Sequence, residues 1–65
     1  MIKNNLKQIL DSKGIKYSFV ASTIGMANGT FSNLLNNKYS TSLEYAFKIS
    51  KFLNLTIEDI FYEEE

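Results

Sequence analysis

Apolar residues recur along this chain at threes and fours, and most of the runs end in glycine or in polar turn residues. Leu6, Ile9 and Leu10 lie on one side of a helix predicted over about residues 5–13, with Gly14 in the left-handed cap position. Phe19, Val20 and Ile24, with Ala21 between them, predict a two-turn helix over about 17–24 that meets Gly25 in the same way. Phe31, Leu34 and Leu35 form the inner face of a third helix, about 28–36, ended by the pair Asn36-Asn37. The polar stretch Asn37 to Ser42 reads as a loop. Beyond it Leu43, Ala46, Ile49, Ser50 and Leu53 predict a fourth helix over about 43–53, with Ser42 or Thr41 as its N-cap. Thr56-Ile57-Glu58-Asp59 resembles a capping box and opens a last helix over about 57–61.

These segments predict an all-α fold, a bundle of five helices. Its expected core is Leu6, Ile9, Val20, Ile24, Phe31, Leu34, Leu43, Ile49 and Leu53. The ends leave one alternative open: Met1 to Lys3 and Phe61 to Glu63 can also be read as extended, pairing as a two-stranded ribbon. Such ribbons are weak unless packed on something.

Composition narrows the chemistry. With 65 residues, 45% of them hydrophobic and 22% charged, the sequence is expected to form one globular domain, residues 1–65. A chain of this size hides only about 60% of the surface it exposes when unfolded, so a partner would help to stabilise it. There is no Cys and no His, which removes thiolate and imidazole catalysis and the commonest metal ligands, so neither an enzyme nor a cofactor or metal site is expected. The acidic residues clustered near the end, Glu58, Asp59, Glu63, Glu64 and Glu65, read as a solvated tail. No signal-like or membrane-length apolar run is present, and the expectation is a soluble, cytoplasmic protein without membrane association.

The second and third helices, joined by a short turn at Gly25, match a helix-turn-helix unit. Gly25 permits the positive φ of a sharp turn, Ala21 leaves room for the helices to cross, and Met26 is the expected apolar plug beneath. The stretch KYSFVASTIGMANGTFSNLLNNK, Lys16 to Lys38, resembles the helix-turn-helix of the Cro and phage-repressor (XRE-like) family, with Ala21, Gly25, Ser32 and Asn36 at the motif positions. NNLKQILDSKGI before it and TSLEYAFKISKFLNLTIEDIF after it resemble the family's other helices, so the likeness spans the chain and is especially close to short stand-alone members.

There are departures. Tyr17 stands where Gln is usual, and Asn28 and Gly29 replace longer polar residues; Gly29 weakens its helix by about 1 kcal/mol relative to Ala. Leu10 and Leu35 occupy the places of a family ion pair, and are expected to touch. Exchanging both charged partners for apolar groups leaves no stranded charge.

The resemblance implies a sequence-specific DNA-binding regulator, a small dimeric repressor whose third helix enters the major groove of a palindromic operator. By position, Asn28, Gly29, Thr30, Ser32 and Asn33 would face the bases. Asn28 can instead be read as a helix cap. Lys16, Tyr17, Asn36, Lys38, Tyr39 and Ser40 would contact phosphates, although Tyr39 can also be read as packing over the loop. Tyr45, Phe47, Phe52, Phe61 and Tyr62 exceed what one inward stripe uses, and a homodimer interface is expected at Phe52, Phe61 and Tyr62. No small-molecule ligand or pocket is expected. The competing reading is a protein-interaction module, an antirepressor or antitoxin on the same scaffold, favoured by the lack of Arg, by Gly29 and by the zero net charge.

That zero is a sum of opposite ends. Residues 1–57 hold seven Lys against Asp11 and Glu44, 7 − 2 = +5, and residues 58–65 carry −5. Charges act over roughly 8–10 Å, so a basic face is expected to attract DNA if the acidic tail lies on the far side of the fold.

Overall fold

The computed structural model describes residues 1–64; Glu65, the last of the expected acidic tail, lies outside them. Five helices are framed by two short strands: β1 (Ile2–Asn4), α1 (Leu6–Lys13), α2 (Tyr17–Ile24), α3 (Asn28–Leu35), α4 (Leu43–Leu53), α5 (Ile57–Ile60) and β2 (Phe61–Glu63). The open alternative at the ends is resolved in favour of a ribbon. β1 and β2 pair antiparallel with Ile2 opposite Glu63, Lys3 opposite Tyr62 and Asn4 opposite Phe61, so the first strand runs one residue later than expected. The ribbon holds because its inner end is packed, with Asn4 and Phe61 buried beside Ile60 and the Asn5 N–H donating to the Ile60 carbonyl at 2.9 Å.

One hydrogen-bonding pattern closes all four long helices. A residue with positive φ donates its N–H to the carbonyl three back, and the next residue donates to the carbonyl five before that residue, the two bonds of a Schellman ending. Gly14 does so at φ 68°, Gly25 at 79°, Asn37 at 58° and Asn54 at 56°. At the other end of α4 the hydroxyl of Ser42, not of Thr41, accepts the Tyr45 N–H at 3.3 Å. Thr56 and Asp59 form the expected capping box, each accepting the other's backbone N–H at 3.1 Å.

Leu6, Leu10, Val20, Ala21, Leu34, Ile49 and Ile60 are fully buried, with Phe31 at 1% exposure and Leu35 at 5%. Leu10 and Leu35 share this one cluster, so no charge is stranded where the family's ion pair would be. Two expected core residues depart from the reading. Ile9 is only half-buried at its edge. Leu43 is 66% exposed: it is the first residue of α4 and lies on the rim of an open groove instead of in the core.

A candidate nucleic-acid interface

The Gly25 turn is built from below. Its N–H donates to Ser22 at 3.3 Å, the Met26 N–H donates to Ala21 at 2.9 Å, and the Tyr45 hydroxyl donates to the Gly25 carbonyl at 3.3 Å. Met26 is buried under the turn, as a plug should be, with the Tyr39 hydroxyl 3.7 Å from its sulfur. This anchoring orients α3 so that Phe31, Leu34 and Leu35 face the core, while Asn28, Gly29, Thr30, Ser32 and Asn33 are all exposed. Asn28 does not cap: the cap position is Ala27, with extended backbone and no side-chain bond, and Asn28 is the first helical residue. Nothing lies within 4 Å of where a Cβ at Gly29 would stand, so the fold itself does not require glycine there.

Of the six expected phosphate-contacting residues, Lys16 and Lys38 are exposed and have no ion-pair partner among the described residues. The other four already have partners inside the chain. The Tyr17 hydroxyl donates to the Asp11 carboxylate, and this bond holds the phenol above its ordinary pKa of 10.0. Asn36 donates from Nδ2 to the Ser32 carbonyl at 3.0 Å. Tyr39 is half-buried over the turn, the packing alternative, and burial raises its pKa. The Ser40 hydroxyl donates to the Ile2 carbonyl at 2.9 Å, binding the loop to the ribbon. Since Ile2 pairs with Glu63, the acidic strand runs beside this loop and not on the far side of the fold. Glu64 is partly neutralised there by Lys3 at 2.9 Å, which raises the pKa of Lys3.

The aromatic residues divide differently from expectation. Phe61 is 8% exposed and belongs to the chain's own core, because the turn from α5 into β2 directs it inward. Phe52 is half-buried, its ring tilted 60° against that of Phe19 with centroids 5.8 Å apart. Tyr62 and Phe47 remain exposed at 44% and 50%. Ile2, Leu43, Ala46, Ile57, Phe61 and Tyr62 line an apolar groove of about 490 Å³, where no pocket was expected. Among the described residues no helix is long and apolar enough to cross a membrane, and no cluster of three or more His, Cys, Asp or Glu could hold a metal.

Two residues unassigned by motif reading lie at the end of α3. Asn4, 4% exposed, and Asn37 bond to each other across the loop and the ribbon. A buried asparagine needs partners, and an asparagine after the last apolar residue of a helix tolerates positive φ; the second signal was present in the sequence, but the pairing was not.

The turn, the outward α3 and the supporting bundle define a helix-turn-helix DNA-binding protein. The sequence matches the Cro/C1-type HTH DNA-binding domain over residues 5–64. An uncharacterized HTH-type transcriptional regulator of Methanocaldococcus jannaschii is 36% identical over 64 residues, covering 98% of this chain and 97% of that protein. Among solved structures, a candidate DNA-binding protein from Bacteroides fragilis is similar, with a TM-score of 0.86 and 26% identity over 95% of this chain and all of that one. The chain belongs to the Cro/C1-type helix-turn-helix family of DNA-binding transcriptional regulators, which is not an enzyme class.

Proposed function

We propose that the protein is a sequence-specific repressor of the cytoplasm, acting as one DNA-binding unit per chain and as a homodimer on a palindromic operator. The observation that carries this reading is the outward face of α3, which is polar and exposed over Asn28, Gly29, Thr30, Ser32 and Asn33 while its other face anchors it to the core. Asn28 and Asn33 can pair with adenine N6 and N7, and the Thr30 methyl can meet a thymine methyl. Lys16 and Lys38 supply phosphate contacts, exposed Asn36 can add one through its second amide N–H, and Tyr17, Tyr39 and Ser40 join only if their internal bonds are exchanged on binding.

Exposed Leu43, Phe47, Tyr62 and Ile2 support self-association, with Phe52 as a half-buried neighbour. Phe61 acts from beneath, as part of the floor of the groove. Two recognition helices about 34 Å apart would match half-sites one turn of DNA apart.

Selection from a random duplex pool, followed by fluorescence anisotropy at several salt concentrations, tests the reading. A selected palindrome is expected, with affinity falling steeply as salt rises. Asn33→Ala is expected to lose about 1–3 kcal/mol of base discrimination without a change in melting temperature. Recovery of no sequence at low salt sinks the proposal.

A second reading, an antirepressor or antitoxin that binds protein instead, is favoured by one observation: four of the six phosphate candidates have internal partners while an apolar groove lies open. A stoichiometric protein partner, bound with an affinity indifferent to salt and to Asn33→Ala, would establish it.

A further inference from the structure

The four helix endings share a backbone but not a use for the side chain. Gly14 and Gly25 have none, and Asn54 makes no side-chain hydrogen bond among the described residues. Asn37 is different. Its Oδ1 accepts the Asn4 backbone N–H at 2.9 Å and the Asn4 side-chain Nδ2 at 3.1 Å, and its Nδ2 donates to the Asn4 carbonyl at 3.4 Å. Asn4 also donates from Nδ2 to the Leu34 carbonyl at 2.9 Å, in the last turn of α3, and its Oδ1 accepts the Leu6 N–H at 3.0 Å. A residue of β1, 33 positions away in sequence, therefore closes the C-terminal end of α3 from outside the helix.

We propose that Asn4 and Asn37 form a clamp that positions the DNA-reading helix and the loop after it, acting as positioning residues and not as DNA contacts. Asn36 and Lys38, two of the proposed phosphate contacts, flank Asn37 directly, and Ser40 is tied to the same strand through Ile2. The opposite end of α3 is fixed by the Gly25 turn. Leu34 and Leu35 keep the last turn of α3 seated on the core whether or not the clamp is present, but the segment beyond it is not packed in that way, and without the Asn37 bonds the Lys38 ammonium loses a fixed distance from the groove-facing residues. The choice of residue fits this role. Glycine serves the left-handed backbone at least as well, so asparagine at 37 is explained by its side chain, whose oxygen accepts two bonds from β1 and ties the residue after the helix to the strand that already reaches the Leu34 carbonyl.

The inference rests on the DNA-binding reading above, and the test separates the two. Asn37→Gly keeps the positive φ and removes the three bonds between Asn37 and Asn4; Asn54→Gly makes the same change in the α4–α5 turn and is the control. Each is compared with the full chain by amide hydrogen exchange, by thermal melting, and by anisotropy on the selected duplex well below the melting temperature. The clamp predicts that N37G speeds exchange in Lys38 to Ser40 by about tenfold or more beyond any global change. It also predicts about a tenfold loss of DNA affinity and a salt slope reduced by about one, as for a lost phosphate contact, with N54G within about twofold of the parent. Faster exchange in N37G with unaltered affinity and salt slope would make the clamp structural only and overturn the proposal. So would unchanged exchange. A parent protein that binds no duplex would remove the regulator reading and the clamp's DNA role with it, whereas a parent that binds and an N37G variant indistinguishable from it would remove the clamp alone.

Discussion

The Gly25 turn and the Asn37 loop sit at opposite ends of α3 and use the same left-handed ending, yet they are held in different ways. At Gly25 the backbone support is local: Ser22 and Ala21 accept from the turn and Met26 plugs it, and two side-chain bonds arrive from farther along the chain, Tyr45 on Gly25 and Tyr39 on Met26. At Asn37 the added support is remote, coming from Asn4 and, through Ser40, from Ile2. One end of the recognition helix is closed by its own neighbours in sequence, and the other by a strand from the start of the fold.

The comparison has several ways to fail. Phe31 lies in the core under both ends, so Phe31→Ala should lower stability by about 3–5 kcal/mol and abolish both together in a single urea transition. Two separate transitions would show that the ends are independent units. Asn4→Ala leaves the Leu34 carbonyl and the Leu6 N–H without their side-chain partner, and a loss of about 1–3 kcal/mol is expected. Amide exchange should then rise around Asn37 before it rises around Gly25; the reverse order would contradict the division. Gly25→Ala meets no atom within 4 Å, so its penalty is backbone strain alone, about 1–2 kcal/mol in thermal or urea melts, and Gly25→Asn should be milder. A neutral Gly25→Ala would mean that the turn does not need its left-handed residue.

The smallest effect is alkaline. Tyr17, Tyr39 and Lys3 all have raised pKa values, through a bond to Asp11, burial, and a bond to Glu64 respectively. The folded state therefore keeps its protons longer than the unfolded one. Its advantage is complete below the ordinary values of 10.0 and 10.5 and is lost as pH rises through the higher folded values. Melting temperature should fall above about pH 10, and Tyr17→Phe should shrink the fall; a flat profile would contradict these assignments.

What could be read along the chain was whatever depends on near neighbours. Spacing at threes and fours marked the helices, glycine marked two of the endings, and Thr56 with Asp59 marked a cap, because each is a relation among residues within one or two turns. The outward face of α3 followed from the same periodicity once Phe31, Leu34 and Leu35 were taken as inward. The readings that missed were those in which a distant partner decides. Phe61 satisfies an apolar surface equally well on a partner chain or in its own core, and only the turn out of α5 chose the core. Leu43 continues the α4 stripe, yet the fold leaves it on the rim of an open groove. The bond from the Ser40 hydroxyl to the Ile2 carbonyl, 38 residues away, was likewise invisible along the chain.

The sequence by itself determined the helices, their left-handed glycine endings and the helix-turn-helix family, since backbone preference and periodicity act over a few residues. Tertiary structure alone decided that the termini pair, that Phe61 turns inward, and that Asn4 meets Asn37. A hydrogen bond between residues 33 apart carries no local signature: each asparagine is an ordinary polar residue until closure of the chain removes water from one and presents the other as its partner.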